Sequence, residues 1–327
     1  MLPARAVQDW LLETENPSVR YFTLKCLLGR DQTDGELQAA RRAIMASPAV
    51  QVILDQQHPD GYWLKPAQYY TGKYRSTVWQ LLILAELGAD PADARIQKAC
   101  DFILTQAQHR ESGGFAEKGG RNGGNAGLVL PCLTGNMAWV LLRFGLAADP
   151  RVQAAVDWIT TYQRFDDGIA TAPQGWPYDR FEMCWGRHSC HMGVVKAMKA
   201  LAEIAPQARA AAVAETLARA AEFMLVHHIH KRSHDLARKS KPGWLRFGFP
   251  LMYQTDALEI LNLLLDLGYR DPRMDAALAV VAEKRGADGR WRLENSYNDK
   301  FTAPIEQLGA PSKWITLQAL RALGRAG

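Results

Sequence analysis

Several things are scarce in this 327-residue chain, and each scarcity removes a class of protein. Long apolar runs are missing: no stretch reaches the roughly 18 residues that a membrane-spanning helix needs. Alternating runs of β-branched residues do not occur, which argues against a sheet-built fold. Dinucleotide fingerprints and phosphate loops are absent, so no nicotinamide or nucleotide cofactor is expected. No Pro/Ser-rich linker interrupts the chain, so residues 1–327 read as one domain, although the length would allow two. Net charge is only +5, and the basic residues are not interleaved along one helix face, so nucleic acid is not an expected partner. Cysteine is sparse and odd in number: Cys26, Cys100, Cys132, Cys184 and Cys190. The start, Met1 to Arg5, runs into a helix-like pattern without the marks of a signal peptide, so the expectation is reduced thiols and a cytoplasmic protein.

What the chain does have is a unit recurring about every 55 to 65 residues. Each unit carries a polar residue, an Asp-Gly or Gly-Gly turn with an aromatic nearby, a loop, and a helix opening on Ser or Thr. The turns are Gln57 to Trp63, Ser112 to Phe115, Gln163 to Gly168 and Ala287 to Trp291, and the openings are Ser18, Ser76, Thr134, Ser189, Thr255 and Ser312. Asp166-Asp167 reads here as turn chemistry, because Asp60 and Asp288 stand at the same place in other units.

The second helix of each unit is apolar nearly all round, as in Trp139 to Leu142, and a helix apolar on every side is buried. It ends at a glycine suited to the left-handed closing conformation: Gly29, Gly88, Gly145, Gly268 and Gly324. The first helices, such as Ala92 to Leu104 and Arg151 to Tyr162, are amphipathic. Six buried and six amphipathic helices predict an all-α fold, an α6/α6 toroid with an inner and an outer ring. The N-terminal segment Ala4 to Leu12 completes the outer ring beside Ser312 to Gly324. All inner helices then begin at one end, so their N-termini and long loops form a single mouth with a positive electrostatic bias.

With these units in place the chain resembles the terpenoid cyclase and protein prenyltransferase superfamily, and most closely its prenyltransferase/squalene oxidase repeat proteins. The carriers are the degenerate Gln…Gly-x-Trp turns, the segment Trp158 to Gln163, and the openings Pro131 to Asn136 and Ser189 to Gly193. The resemblance covers nearly the whole chain and implies the toroid. Its standard activities are not carried whole. The Asp-x-Asp-Asp run of class II cyclases is absent, with Asp256 a single acid at the nearest position. Where prenyltransferases place two zinc ligands, Thr134 and Asn136 stand, while His188 resembles the family's histidine.

The densest reactive cluster runs from Cys184 to His191. Cys184, His188, Cys190 and Cys132 form a candidate zinc set, since thiolate and imidazole suit tetrahedral zinc. Metal-free Cys190, His188 and His191 acid–base or nucleophilic chemistry is a second reading, with thiol pKa lowered near helix N-termini. Buried thiols and hydrogen-bonded histidines without catalysis are the third. Asp256 is the best single acid, either as a helix cap or as a general acid raised by burial. His227 to Asp235 is His-rich and merges into a basic stretch, Lys231 to Lys241, which is a solvated loop or an anion-binding rim including Arg232. Aromatics crowd the mouth loops, and Tyr70, Trp176, Trp185, Trp244, Phe249 and Tyr253, with Asn136, are candidate substrate contacts. Such walls favour an apolar or cationic ligand.

The function expected is a toroid enzyme acting on an isoprenoid-like or other apolar molecule in a central cavity. Alternatives are a glycoside hydrolase or polysaccharide lyase, which would need an open groove, and a non-catalytic lipid-binding protein. A dry, polar-walled or filled cavity would sink the first.

Overall fold

A computed structural model describes residues 4–326, without the side chain of Asn298, so Met1 to Pro3 lie outside the described residues. Six inner helices are present: Pro17–Phe22 continued by a π-helical turn Thr23–Leu27, then Thr77–Leu87, Pro131–Arg143, His191–Ala202, Ala257–Asp266 and Lys313–Ala326. We call them the first to sixth. The outer helices are Arg5–Leu11, Gly35–Ile44 with Pro48–Asp55, Ala94–Gln106, Pro150–Tyr162, Ala211–Val226 and Asp275–Glu283.

Burial follows the sequence pattern. In the second inner helix every residue but Glu86 is buried. In the outer helix Ala94–Gln106 the buried residues are Ile96, Ala99, Cys100, Ile103 and Leu104, one stripe at helical spacing. Neighbouring inner helices touch from the second round to the sixth, and the sixth meets the first. The N-terminal helix packs on the sixth inner helix, as expected.

One hydrogen bond recurs in four of the six units. Trp63 N donates to Thr77 Oγ1, Phe115 N to Thr134 Oγ1, Asp166 N to Ser189 Oγ and Trp291 N to Thr316 Oγ1, at 2.8 to 3.2 Å. The turn residue thus hangs its backbone N–H on the start of the inner helix, and a buried donor left unmatched there would cost about 1–3 kcal/mol. Thr77 and Thr316 hold this role, rather than Ser76 and Ser312. Trp63 and Trp291 also send their indole N–H to a carbonyl ten residues upstream, Ile53 O and Val281 O.

Gly29, Gly88, Gly145 and Gly268 close inner helices at positive φ, whereas the sixth runs through Gly324 to Ala326, so that glycine is no stop. Gly135 marks the tightest crossing: a Cβ there would lie 2.5 Å from the backbone carbon of Lys196, so only glycine lets the third and fourth inner helices approach so closely. Three two-stranded ribbons escaped the sequence reading, among them Lys231–Arg232 with Asp235–Lys239, which holds most of the basic stretch as an exposed hairpin.

Candidate functional site at the mouth

The aromatic loops that lead to the inner helices build a cage. Tyr70, Trp79 and Tyr253 surround the ammonium of Lys73, whose Nζ lies 4.9, 5.5 and 4.5 Å from their ring centroids. Tyr74 packs edge-on against Trp79 at 5.1 Å and tilts onto Tyr297 at 4.6 Å. The Trp79 indole is fixed by donating to Tyr70 O at 2.8 Å. Burial raises the phenols of Tyr70 and Tyr74 far above the ordinary tyrosine range, so both are neutral donors at physiological pH. Tyr70 and Tyr253 were read from the sequence as contacts. Trp79 was hidden inside an apolar helix, and Lys73 had no motif to mark it.

The thiols lie close by. Cys132 interacts electrostatically with both Tyr70 and Cys190, and Cys184 with Cys132 and Cys190. The expectation of activated thiols fails for two of them: burial pushes Cys132 up to about 12 and Cys184 further, so both stay protonated. The zinc set Cys132, Cys184, His188 and Cys190 is also divided. His188 turns away from the thiols, its Nδ1 3.1 Å from Asp167 Oδ1, and among the described residues the one convergent group of metal-type donors is Asp167, His188 and His234.

His191 lies behind that group, against His227. Its ring packs against Phe223, His227 and Trp244 at 4.3 to 5.1 Å, and burial drives its pKa down to about 3. Trp244 and Trp185 are buried, the latter edge-on to Tyr178 at 5.2 Å. Trp176 is half-buried and donates to Ala126 O. Arg232 is exposed on the basic hairpin.

The centre of the ring is corked. Phe249 stacks on Trp314 of the sixth inner helix at 4.1 Å, Asn136 of the third donates to Met252 O at 3.3 Å, and Tyr253 meets Trp79 of the second. Phe249 and Tyr253 are therefore ends of a segment that crosses the hole. Beneath it lies a cavity of about 270 Å³ walled by all six inner helices. Its walls carry Lys25, Glu86, Arg143, Lys199, Glu203, Glu259, Asp266 and Arg321. The expected apolar central chamber is thus charged and closed above by the cork, which overturns the expectation of a substrate held in a central cavity.

Lys196 anchors that charge. Its side chain is 1% exposed, and Nζ donates to both oxygens of Glu259 at 2.9 and 2.8 Å. Lys199 binds Glu259 at 3.3 Å and also Glu86, and lies 4.0 Å from the Trp139 centroid. Burial raises the Glu259 pKa, but the two lysines outweigh it and hold the carboxyl below its ordinary value. Asp256, just above, caps the fifth inner helix: Oδ1 accepts from Glu259 N at 2.8 Å and Oδ2 from Gly248 N at 3.0 Å. Burial nevertheless raises it to about 7. Its electrostatic neighbours are Glu259 and Lys196, so it does not join the histidines.

No protein-family model matches the chain, and no curated protein sequence does. Solved structures do. A family 76 glycoside hydrolase from a bovine Bacteroides thetaiotaomicron strain aligns over 95% of this chain and 67% of its own, with 12% identity and a TM-score of 0.51. A type II terpene cyclase from Scytonema, in complex with geranylgeranyl dihydroxybenzoate, aligns over 95% and 87%, with 19% identity and a TM-score of 0.43. At such identities the likeness concerns architecture, and one architecture serves many chemistries. The chain has an α/α-toroid fold, and the structures similar to it include both a glycoside hydrolase and a terpene cyclase.

Proposed function

We propose that this toroid is an enzyme that takes an isoprenoid-like apolar substrate against the aromatic cage of the mouth and steadies positive charge there. The observation that carries the reading is the placing of Lys73 Nζ within 5.5 Å of three ring centroids. Rings arranged in this way attract a cation by about 0.5–2 kcal/mol each, and their faces supply apolar area to a hydrocarbon chain. Asp256, three residues beyond Tyr253, is the proposed acid. Each of its oxygens accepts one backbone N–H, and a carboxyl oxygen has two lone-pair sites, so a proton and the cap coexist. The glycosidase alternative needs a pair of carboxylates across an open groove.

The test is a tryptophan-fluorescence titration with a geranylgeranyl-chain amine, beside mass-spectrometric search for cyclised products from linear polyprenyl substrates. Tyr253→Ala should weaken the amine about tenfold, the equivalent of about 1.4 kcal/mol. Asp256→Asn should keep binding and lose product. Binding of an oligosaccharide but not of the amine would sink the proposal. Tight amine binding without product from any linear substrate would make the chain a lipid-binding protein.

A further inference from the structure

The sequence reading split His188 from His227 and His234, and set Asp167 aside as a turn residue. The fold joins them. Three imidazoles face one carboxylate oxygen: His188 Nδ1, His227 Nε2 and His234 Nε2 lie 3.1, 3.4 and 3.7 Å from Asp167 Oδ1. We propose that Asp167, His188 and His234 form a binding site for a divalent transition metal on the rim of the mouth, backed on its buried side by His227. It is independent of the cage reading and shares only His188 with the thiol set.

Three observations carry it. The first is spacing. Ligands about 2.0–2.1 Å from a tetrahedral zinc ion stand roughly 3.3 Å apart, which lies between the 3.1 Å of His188 Nδ1 and the 3.7 Å of His234 Nε2 from Asp167 Oδ1. The donor atoms of Asp167, His188 and His234 all lie within 4.8 Å of one another. The second is a buried ring that backs the carboxylate. The His227 side chain is 4% exposed, and its Nδ1 hydrogen is spent on Phe223 O at 2.7 Å. Its Nε2 lies 3.4 Å from Asp167 Oδ1, so the ring stands fixed behind the carboxylate.

The third is room. Gly168 has φ +84°, and a Cβ there would stand 3.1 Å from His188 Cε1 and 3.4 Å from His234 Nε2. Glycine therefore leaves the floor beneath the two rings open. The ligands are also held from behind: Gly168 N donates to Arg187 O at 2.7 Å, and Asp167 pairs with His188 as an isolated β-bridge. The side chains of His188 and His234 are 57% and 62% exposed, so an ion has a path in, and three protein ligands leave one position for water or substrate, as in catalytic zinc sites. His188 would ligate through Nδ1 and His234 through Nε2, the latter in place of its present 3.0 Å contact with Asp167 O, each ring carrying its hydrogen on the other nitrogen.

The experiment is a titration of the purified full chain with Co²⁺ and Zn²⁺, read by visible spectra and by metal content after gel filtration, with circular dichroism on every variant. Wild type should hold one equivalent. His234→Ala and, separately, Gly168→Ala should each weaken binding about tenfold or more, the second without removing any ligand. A Cys184→Ser/Cys190→Ser variant should keep the metal. No binding by wild type, retention in both His234→Ala and Gly168→Ala, or loss in the cysteine variant would overturn the proposal.

Discussion

Glu259→Gln is the substitution that presses hardest on the charged half of the ring. Lys196 is 1% exposed and has Glu259 as its sole ion-pair partner among the described residues. Removing the carboxylate charge leaves a buried ammonium uncompensated, which typically costs about 3–5 kcal/mol. Unfolding entropy near 2.1 cal/mol/K per residue gives about 0.7 kcal/mol/K for 327 residues, so the melting temperature should fall by roughly 4–7 °C. Lys196→Met should cost less, because Glu259 keeps Lys199. Lys196→Met with Glu259→Gln should recover most of the loss, since Lys199 still has Glu86 and no buried ammonium is left without its partner. Calorimetry of the four proteins forms a double-mutant cycle. A Glu259→Gln shift under about 1 °C, or a double variant whose loss equals the sum of the singles, would refute the reasoning.

The same helix gives a pH prediction of opposite sign. Glu259 is held below its unfolded value, so its contribution is present above about pH 4.5 and fades as pH falls through the folded value. Asp256 is raised to about 7 from 3.8, so wild-type stability should decline as pH rises from about 4 to 7, by at most about 1.4 kcal/mol per unit, and Asp256→Asn should flatten that slope in urea melts. Gly135→Ala must part the third and fourth inner helices and should cost about 1–3 kcal/mol, as overpacked cores do. Lys73→Ala empties the cage and removes a like charge, so the geranylgeranyl-chain amine should bind at least about threefold tighter by fluorescence.

The ring was legible because its signals are local. Gly88, Gly145 and Gly268 close helices through their own φ, and the outer stripe of Ile96, Ala99 and Ile103 is a matter of spacing. The site was not, because its partners meet across hairpins. Lys73 and Tyr253 are 180 residues apart, and Asp167 meets His234 from another unit. Asp167 looked like Asp60 and Asp288 because all three serve the turn; only assembly surrounds one of them with imidazoles. The thiols misled for a physical reason: helix N-termini lower a thiol pKa, but at Cys132 and Cys184 burial is the larger effect. Lys196 vanished into a helix that otherwise read as apolar. Ribbons of two residues are too short to show any alternation.

The cork from Phe249 to Tyr253 turns a tunnel into two cups standing base to base. The lower cup is ion-paired and tied to all six inner helices, so changes there strike at folding. The upper cup is made of loops whose backbones hang from fixed hydroxyls, and its side chains can be exchanged while those hooks remain. A scaffold divided in this way can diverge in what it recognises while conserving what holds it together. Exchanging mouth loops between toroids would then transfer ligand preference without retuning the salt-filled half.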